Sequence, residues 1–297
     1  NRVTILRGGE LVDTLVTKNE NPDSLGFKML GYKIAKLKRN KVEDNSKVLL
    51  SLNNIYTYNQ DPFSVNLKNI NFSLKTGQIL GIAGVAGNGQ NELMEIFLNE
   101  NNDNFKGDIL FKNKKINQLS TQDRKRLSIS YVTEQRLGHS AVPEMSLTEN
   151  VLLSMGHNKK FVKNDLINFK SISQHTDKII KRFNVNTPSN LTKASQLSGG
   201  NLQKFIIGRE ILSNPELLIL SQPTWGIDAG SESFIRKTLL DLSLSGISII
   251  IISHDIDELL EICHDVCVLY EGRLSKNLNV EKIDATQLGK YMGGLFD

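Results

Sequence analysis

Apolar and polar positions divide the 297-residue chain into short apolar runs separated by longer mixed stretches. Runs at 48–56 and 68–74 read as strands, and a third at 79–83 enters a glycine-rich loop and then a helix at about 91–98. The stretch 145–212 is polar, rich in Lys, Asn and Ser, and reads as mainly helical. Beyond it come the apolar strand Leu217–Leu220, a helix near 231–244, the strand Ser248–Ile252 and a helix near 255–263. Apolar strands alternating with helices predict an α/β fold whose core sheet is largely parallel and covered on both faces.

An internal repeat sets the domain organisation. Val3-Thr-Ile-Leu-Arg-Gly-Gly-Glu-Leu11 matches Val266-Cys-Val-Leu-Tyr-Glu-Gly-Arg-Leu274, 263 residues later. The same offset joins Leu25 and Gly26 to Leu288 and Gly289, Met29 to Met292, and Gly31 to Gly294. The expected organisation is the tail of one domain at 1–31, a linker at 32–46, and a whole second copy at 47–297. Asn1 stands in a strand-like run, so we expect a first copy upstream. The linker's Lys33, Lys36, Lys38, Arg39 and Lys41 read as a solvated basic run.

Composition narrows the class without naming it. Hydrophobic residues make up 39% and charged residues 23%, ordinary values for a chain with a real core. A net charge of +4 suits an anionic membrane face or nucleotide phosphates but is too small to argue for nucleic acid. The two cysteines, Cys263 and Cys267, imply a reducing compartment without a disulfide framework. Their spacing beside His264 raises a metal reading, but they fall where a helix meets an apolar strand, so buried small hydrophobes are expected. The longest apolar run, Ile247–Ile252, is far short of a membrane span.

Candidate chemistry begins at Gly84-Val-Ala-Gly87-Asn88-Gly89-Gln90-Asn91, between strand and helix. Gly84 and Gly89 have the spacing of a phosphate-binding loop, in which backbone N–H groups wrap an anion at a helix N-terminus. The lysine position holds Gln90 and the Mg²⁺-binding Ser/Thr position holds Asn91. A tight glycine turn explains this loop equally well by itself. A second element, Gln196-Leu-Ser198-Gly199-Gly200-Asn201, offers a hydroxyl and glycine amides at a helix start; alone, it reads as a helix cap.

Further landmarks follow in order: Leu217-Leu-Ile-Leu-Ser221-Gln222-Pro-Thr224, Gly226-Ile-Asp228, and Ser253-His254-Asp255. Upstream lie Val132-Thr-Glu134 and an aromatic at Tyr56 or Tyr58. With them the chain resembles the cassettes of ABC transport ATPases over 47–297, with 1–31 resembling the tail of a preceding cassette. That resemblance implies a P-loop NTPase fold with a mixed, mainly parallel core sheet, an antiparallel β subdomain and a helical subdomain at about 145–212. It implies ATP and Mg²⁺ as cofactors, Tyr58 stacking adenine, and Glu134 in the Q-loop. Ser221 and Asn91 take the Mg²⁺ positions, Gln222 that of the general base, His254 that of the switch histidine and Asp228 that of the D-loop.

The fused arrangement, Ser-Gly-Gly-Asn and Glu134-Gln-Arg136 resemble the second cassette of simple-sugar and nucleoside importers, and Gln222 leans towards the nucleoside branch. The implied partners are the first cassette of the same polypeptide, membrane permease subunits and, indirectly, an extracellular solute-binding lipoprotein, at the cytoplasmic face of the membrane. With lysine, carboxylates and base replaced, the cassette's own site is expected to be non-hydrolysing, while intact Ser198–Gly200 serve the partner's site. An ATP-sensing module coupled to something other than uptake, or a decayed copy, are the alternatives.

Overall fold

The chain opens with a hairpin of β1 (Arg2–Arg7) and β2 (Glu10–Val16), turned at Gly9 with φ 86, and continues into α1 (Pro22–Leu30). A capping box starts α1: Asn21 Oδ1 accepts from the Ser24 amide at 2.8 Å, and Ser24 Oγ accepts from the Asn21 amide at 3.0 Å. The computed structural model describes residues 1–7, 9–31, 39, 46–58, 61–100, 105–164 and 166–296. These form two units, Asn1–Lys38 and Arg39–Asp297. Of the linker expected at 32–46, only Arg39 and Ser46 lie among the described residues.

In the second unit, β3 (Val48–Thr57), β4 (Ile70–Lys75), β6 (Phe105–Phe111) and β7 (Lys114–Lys115) form an antiparallel sheet in the order β4-β3-β6-β7. The core sheet holds β5 (Ile79–Ala83), β8 (Ile129–Val132), β11 (Leu217–Ser221), β12 (Ser248–Ser253) and β13 (Asp265–Tyr270). They run in the order β13-β5-β12-β11-β8, all parallel. The short β14 (Arg273–Leu274) and β15 (Leu278–Asn279) pair antiparallel with β13. Every residue of β5, β8, β11 and β12 is buried, the physical reason that β5, β11 and β12 are near-continuous apolar runs rather than alternations.

Helix α2 (Gln90–Leu98) shares one core with both sheets. Leu93, Met94, Ile96 and Phe97 join Leu52, Ile55 and Phe72 on one side and Ile82, Ile219 and Ile250 on the other. Its C-terminus is capped by a buried cation. Arg124, in α3 (Thr121–Arg126), is 1% exposed and donates to the carbonyls of Ile96 (2.8 Å), Phe97 (2.7 Å), Ile116 (3.0 Å) and Asn117 (3.3 Å). Orphan carbonyls at a helix end need donors, and the dipole there favours positive charge.

The helical stretch holds α4 (Leu147–Met155), a small hairpin of β9 (Val162–Lys163) and β10 (Leu166–Ile167), α5 (Phe169–Arg182) and α6 (Gly199–Ile211). Then come α7 (Ala229–Leu244), α8 (Ile256–Ile262) and α9 (Ala285–Met292). The α/β architecture with a mixed, mainly parallel core, an antiparallel sheet and a helical region is as expected from the sequence. Cys263 and Cys267 are free and buried, Cys267 donating to Asn277 Oδ1 at 2.8 Å, and burial pushes both thiols up, Cys267 to about 12.

The 263-residue repeat extends to backbone geometry. β1 and β13 occupy equivalent positions, and their hairpin registers coincide: Val3 pairs Leu15 as Val266 pairs Leu278, and Leu6 pairs Leu11 as Leu269 pairs Leu274. The capping box of Asn21 and Ser24 recurs as Asp284 and Gln287. One difference is sharp. β13 also pairs in parallel with β5, whereas among the described residues β1 pairs with β2 alone. Leu6 is accordingly 63% exposed where its counterpart Leu269 is 0%.

Two stability predictions follow from the buried polar groups. Arg124→Met should lower the stability of the larger unit by about 3 kcal/mol in urea unfolding, because four carbonyls lose a charged donor; an unchanged midpoint would refute the capping role. Glu258 in α8 is fully buried, and burial pushes its carboxyl up more than the Ser253 and Thr224 hydroxyls and Arg236 pull it down. The folded chain therefore holds this proton more tightly than the unfolded chain. Its contribution to stability is full below the ordinary value of 4.5 and is lost as pH rises through the folded value. Glu258→Gln should flatten that decline in urea midpoints taken upward from pH 4, and an identical pH slope in both proteins would count against it.

Candidate functional site

The candidate loops leave the carboxyl ends of adjacent parallel strands. Ala83 lies opposite Ser253, Ile252 opposite Ser221, and Leu220 opposite Val132. The turns at 84–89, 254–255, 222–228 and 133–139 therefore emerge from one edge of the sheet. Ligand crevices in open α/β sheets form at this edge.

From β5 the chain enters Gly84 and reaches α2 through Gly87 (φ 85) and Gly89 (φ 115), conformations that favour glycine. Gln90, 9% exposed, folds back into this loop. Its Nε2 donates to the Val85 carbonyl at 2.9 Å, and its Oε1 accepts from the Asn88 amide at 3.1 Å. Asn88 Nδ2 also donates to Val85 O at 2.8 Å, while Asn88 Oδ1 accepts from the Glu271 amide at 2.8 Å. Tyr58 is half exposed, with Lys106 Nζ 5.1 Å from its ring centre.

After β11, Gln222 sits at φ 50, the left-handed region that is strained for a glutamine. The structure over-determines this turn. The Gln222 amide donates to Ile252 O at 2.8 Å, and Thr224 Oγ1 donates to Glu258 Oε1 at 2.8 Å. Gln203 Nε2 donates to Pro223 O at 2.8 Å, and Arg136 donates to Trp225 O. Gln222 Oε1 accepts weakly from the His254 amide at 3.5 Å. The His254 ring stands edge-on to Trp225, centroids 4.4 Å apart and planes at 78°. Asp255 caps α8 through the Glu258 amide at 3.0 Å and is paired with Arg236 of α7 at 3.0 Å. Asp255, next to His254, is thus fixed to α7.

At the other motif, Ser198 occupies the N-cap of α6 but makes no side-chain cap bond; it accepts instead from Asn201 Nδ2 at 2.9 Å. Ser198 and Gly199 are exposed, while Gly200 is buried where a Cβ would lie 2.8 Å from Asp228 Oδ2. Asp228 caps α7, accepting from the Ser231 amide (2.9 Å) and hydroxyl (2.8 Å). Partial burial raises its carboxyl, and the Ser231 bonds outweigh this, leaving it below the usual carboxylate range.

A cleft of about 900 Å³ brings together Asn91, Glu134, Arg136, Gly199, Ser221 and Trp225. A smaller cavity of about 200 Å³ joins Gln222 and His254, with Trp225 in the wall of both. The cradle residues Gly84–Gly89, Tyr58, Ser198 and Asp228 line neither. For Mg²⁺ the positions at 91, 221 and 222 offer two amides and a hydroxyl, a poor fit to an ion that takes carboxylate and phosphate oxygens. Among the described residues no group of three or more His, Cys, Asp or Glu is placed to hold a metal. Trp225 and Glu258 are not singled out by the sequence; the only signal is position, since each lies within four residues of a motif.

Comparison with known proteins identifies the family and the fold. The family model described as ABC transporter matches residues 67–225. The chain is 31% identical over 293 residues to the guanosine import ATP-binding protein NupO of Bacillus subtilis, covering 99% of this chain and 57% of that protein. It is 35% identical over 292 residues to the ribose import ATP-binding protein RbsA of Clostridium tetani, covering 98% and 56%. It thus spans about half the length of the curated relatives it matches. The fold resembles that of the dimeric ATP-binding cassette MJ0796 bound to ADP and Pi, with a TM-score of 0.67 at 23% identity, over 78% of this chain and 99% of that one. With a matching family model across more than half of its length and the phosphate-type loop, the Ser-Gly-Gly helix start and the strand-end loops on one scaffold, the chain belongs to the ABC transporter family.

Proposed function

We propose that residues 47–297 are the second nucleotide-binding cassette of an importer ATPase that energises uptake of nucleosides or simple sugars. Its own site is degenerate and non-hydrolysing, and its Ser198–Gly200 motif completes the ATP and Mg²⁺ site of a first cassette in the same polypeptide. The observation that carries this reading is the contrast between the two motifs. Gln90, Asn91, Ser221 and Gln222 replace lysine, hydroxyl, carboxylate and base, while Ser198 and Gly199 are exposed at the start of the 13-residue α6. A helix N-terminus with glycine amides suits a γ-phosphate, whereas Gln222 cannot accept a proton from water. The names of NupO and the Lactococcus lactis nucleoside import protein NupA, together with that of the ribose import protein RbsA, support the class of nucleoside or simple-sugar uptake.

The repeat supports the first cassette. Residues 1–31 reproduce the hairpin register, helix and caps of 264–294, and among the described residues the other edge of β1 has no counterpart of the strand that β5 supplies to β13. A preceding sheet would pair with that edge and bury Leu6. The remaining partners follow from this reading: permease subunits at the cytoplasmic face of a membrane, and a solute-binding lipoprotein outside it. No helix among the described residues is long and apolar enough to cross a membrane.

Two measurements test the proposal. In the longer polypeptide with its permease, Ser198→Arg should lower ATPase and uptake on the order of 10²–10³-fold, the scale of losing transition-state donors, while Gln222→Ala stays close to the parent rate. The reverse pattern would sink the assignment. Leu6→Asp should leave the melting temperature of residues 1–297 nearly unchanged but lower that of the longer polypeptide; equal effects on both would argue against a covering sheet.

A further inference from the structure

The loop between β5 and α2 has the outline of a phosphate cradle, yet the chain's own side chain occupies its interior. An anion bound in such a loop takes backbone N–H groups. Here the Asn88 N–H is already given to Gln90 Oε1 at 3.1 Å, while Gln90 Nε2 holds the Val85 carbonyl at 2.9 Å. A carboxamide suits this position because it carries a donor and an acceptor together and so bridges an amide and a carbonyl across the loop. A phosphate, acceptor only, satisfies just one of the two.

The surroundings are shaped to the amide. A Cβ at Gly84 would lie 2.3 Å from Gln90 Nε2 and 2.7 Å from Leu269 O, so glycine leaves the room that the side chain uses. Asn88 fixes the loop from outside through Val85 O and the Glu271 amide, and its carbonyl accepts from the Gly272 amide at 3.0 Å. Buried Gln90 and its two bonds thus withhold the Asn88 amide from an incoming phosphate and fill the space beside Gly84, while Val85, Ala86 and Gly87 stay exposed at the mouth of the loop.

We propose that Gln90 is an internal plug: its carboxamide closes the phosphate cradle, and the polyphosphate of a nucleotide enters only when this side chain swings out. The proposal rests on reading 84–91 as the nucleotide loop of a degenerate site. It adds that nucleotide competes with a resident side chain, beyond merely lacking a lysine partner. The two explanations part on truncation. Removing Gln90 adds no phosphate contact, so a loop that only lacks lysine binds no better, whereas an unplugged loop binds more tightly.

The test is isothermal titration of residues 1–297 with MgATP and with inorganic pyrophosphate. The parent and Gln90→Glu, which keeps the length and adds negative charge, should bind both weakly. Gln90→Ala should bind both about tenfold more tightly, the scale of one to two hydrogen bonds no longer competing. It should still not hydrolyse ATP, since Ser221 and Gln222 remain. A natively folded Gln90→Ala that binds no more tightly than the parent overturns the plug and leaves the degenerate-site reading standing. ATP hydrolysis by the parent chain overturns that reading itself. Amide hydrogen exchange of the parent gives a check free of substitutions: the Asn88 amide should exchange more slowly than those of exposed Ala86 and Gly87, and equal rates overturn the plug.

Discussion

Parallel pairing of β5, β12, β11 and β8 is the constraint on which the rest of the molecule depends. Because the four strands run the same way in a fixed register, Ala83, Ser253, Ser221 and Val132 end at neighbouring positions along one edge. Everything chemically notable is attached to those ends. A one-residue slip in any pair would turn buried side chains to the opposite face, and total burial of these strands makes such a slip expensive. The loops inherit their relative positions from that rigidity.

Around this edge the structure uses buried polar side chains to hold loops that lack regular structure. The turn at 222–228 is tied to β12, α8, α6 and Arg136 by four separate bonds, which together hold Gln222 in a left-handed conformation. Arg124 does similar work at the far end of α2, where four backbone carbonyls converge on one guanidinium. Arg236 pairs with Glu232, Asp255 and Glu261 and so fastens α7 to the residues beside His254. Buried backbone groups must be paired, and Arg124, Gln203 and Arg136 supply donors to carbonyls that helix and sheet ladders leave free.

The two phosphate-type motifs differ in state as well as in sequence. At the strand–helix loop, the Asn88 amide and the Val85 carbonyl are satisfied internally by Gln90. At the start of α6 the serine and first glycine face solvent, and the Ser198 hydroxyl makes no bond to the helix amides. One motif is turned inward and the other outward. That difference is what gives the reading of a cassette serving a neighbouring site its physical content.

The sequence by itself determined the fold class and most element positions, because fully buried parallel strands must be continuous apolar runs: 79–83, 217–220 and 248–252 could hardly be anything else. It also determined the repeat, the order of the motifs and the replacements at 90, 91, 221 and 222, since these are matters of residue identity and spacing. Only the tertiary structure decided what those residues do to one another. That Gln90 folds into its own loop depends on the room Gly84 leaves beside Leu269, a residue 179 positions after Gln90. That Glu258 lies under Thr224, and that Trp225 stands against His254, depends on α8 and the 222–228 turn meeting across the sheet edge. Such contacts join residues distant in sequence, and no local pattern encodes a distance between two loops.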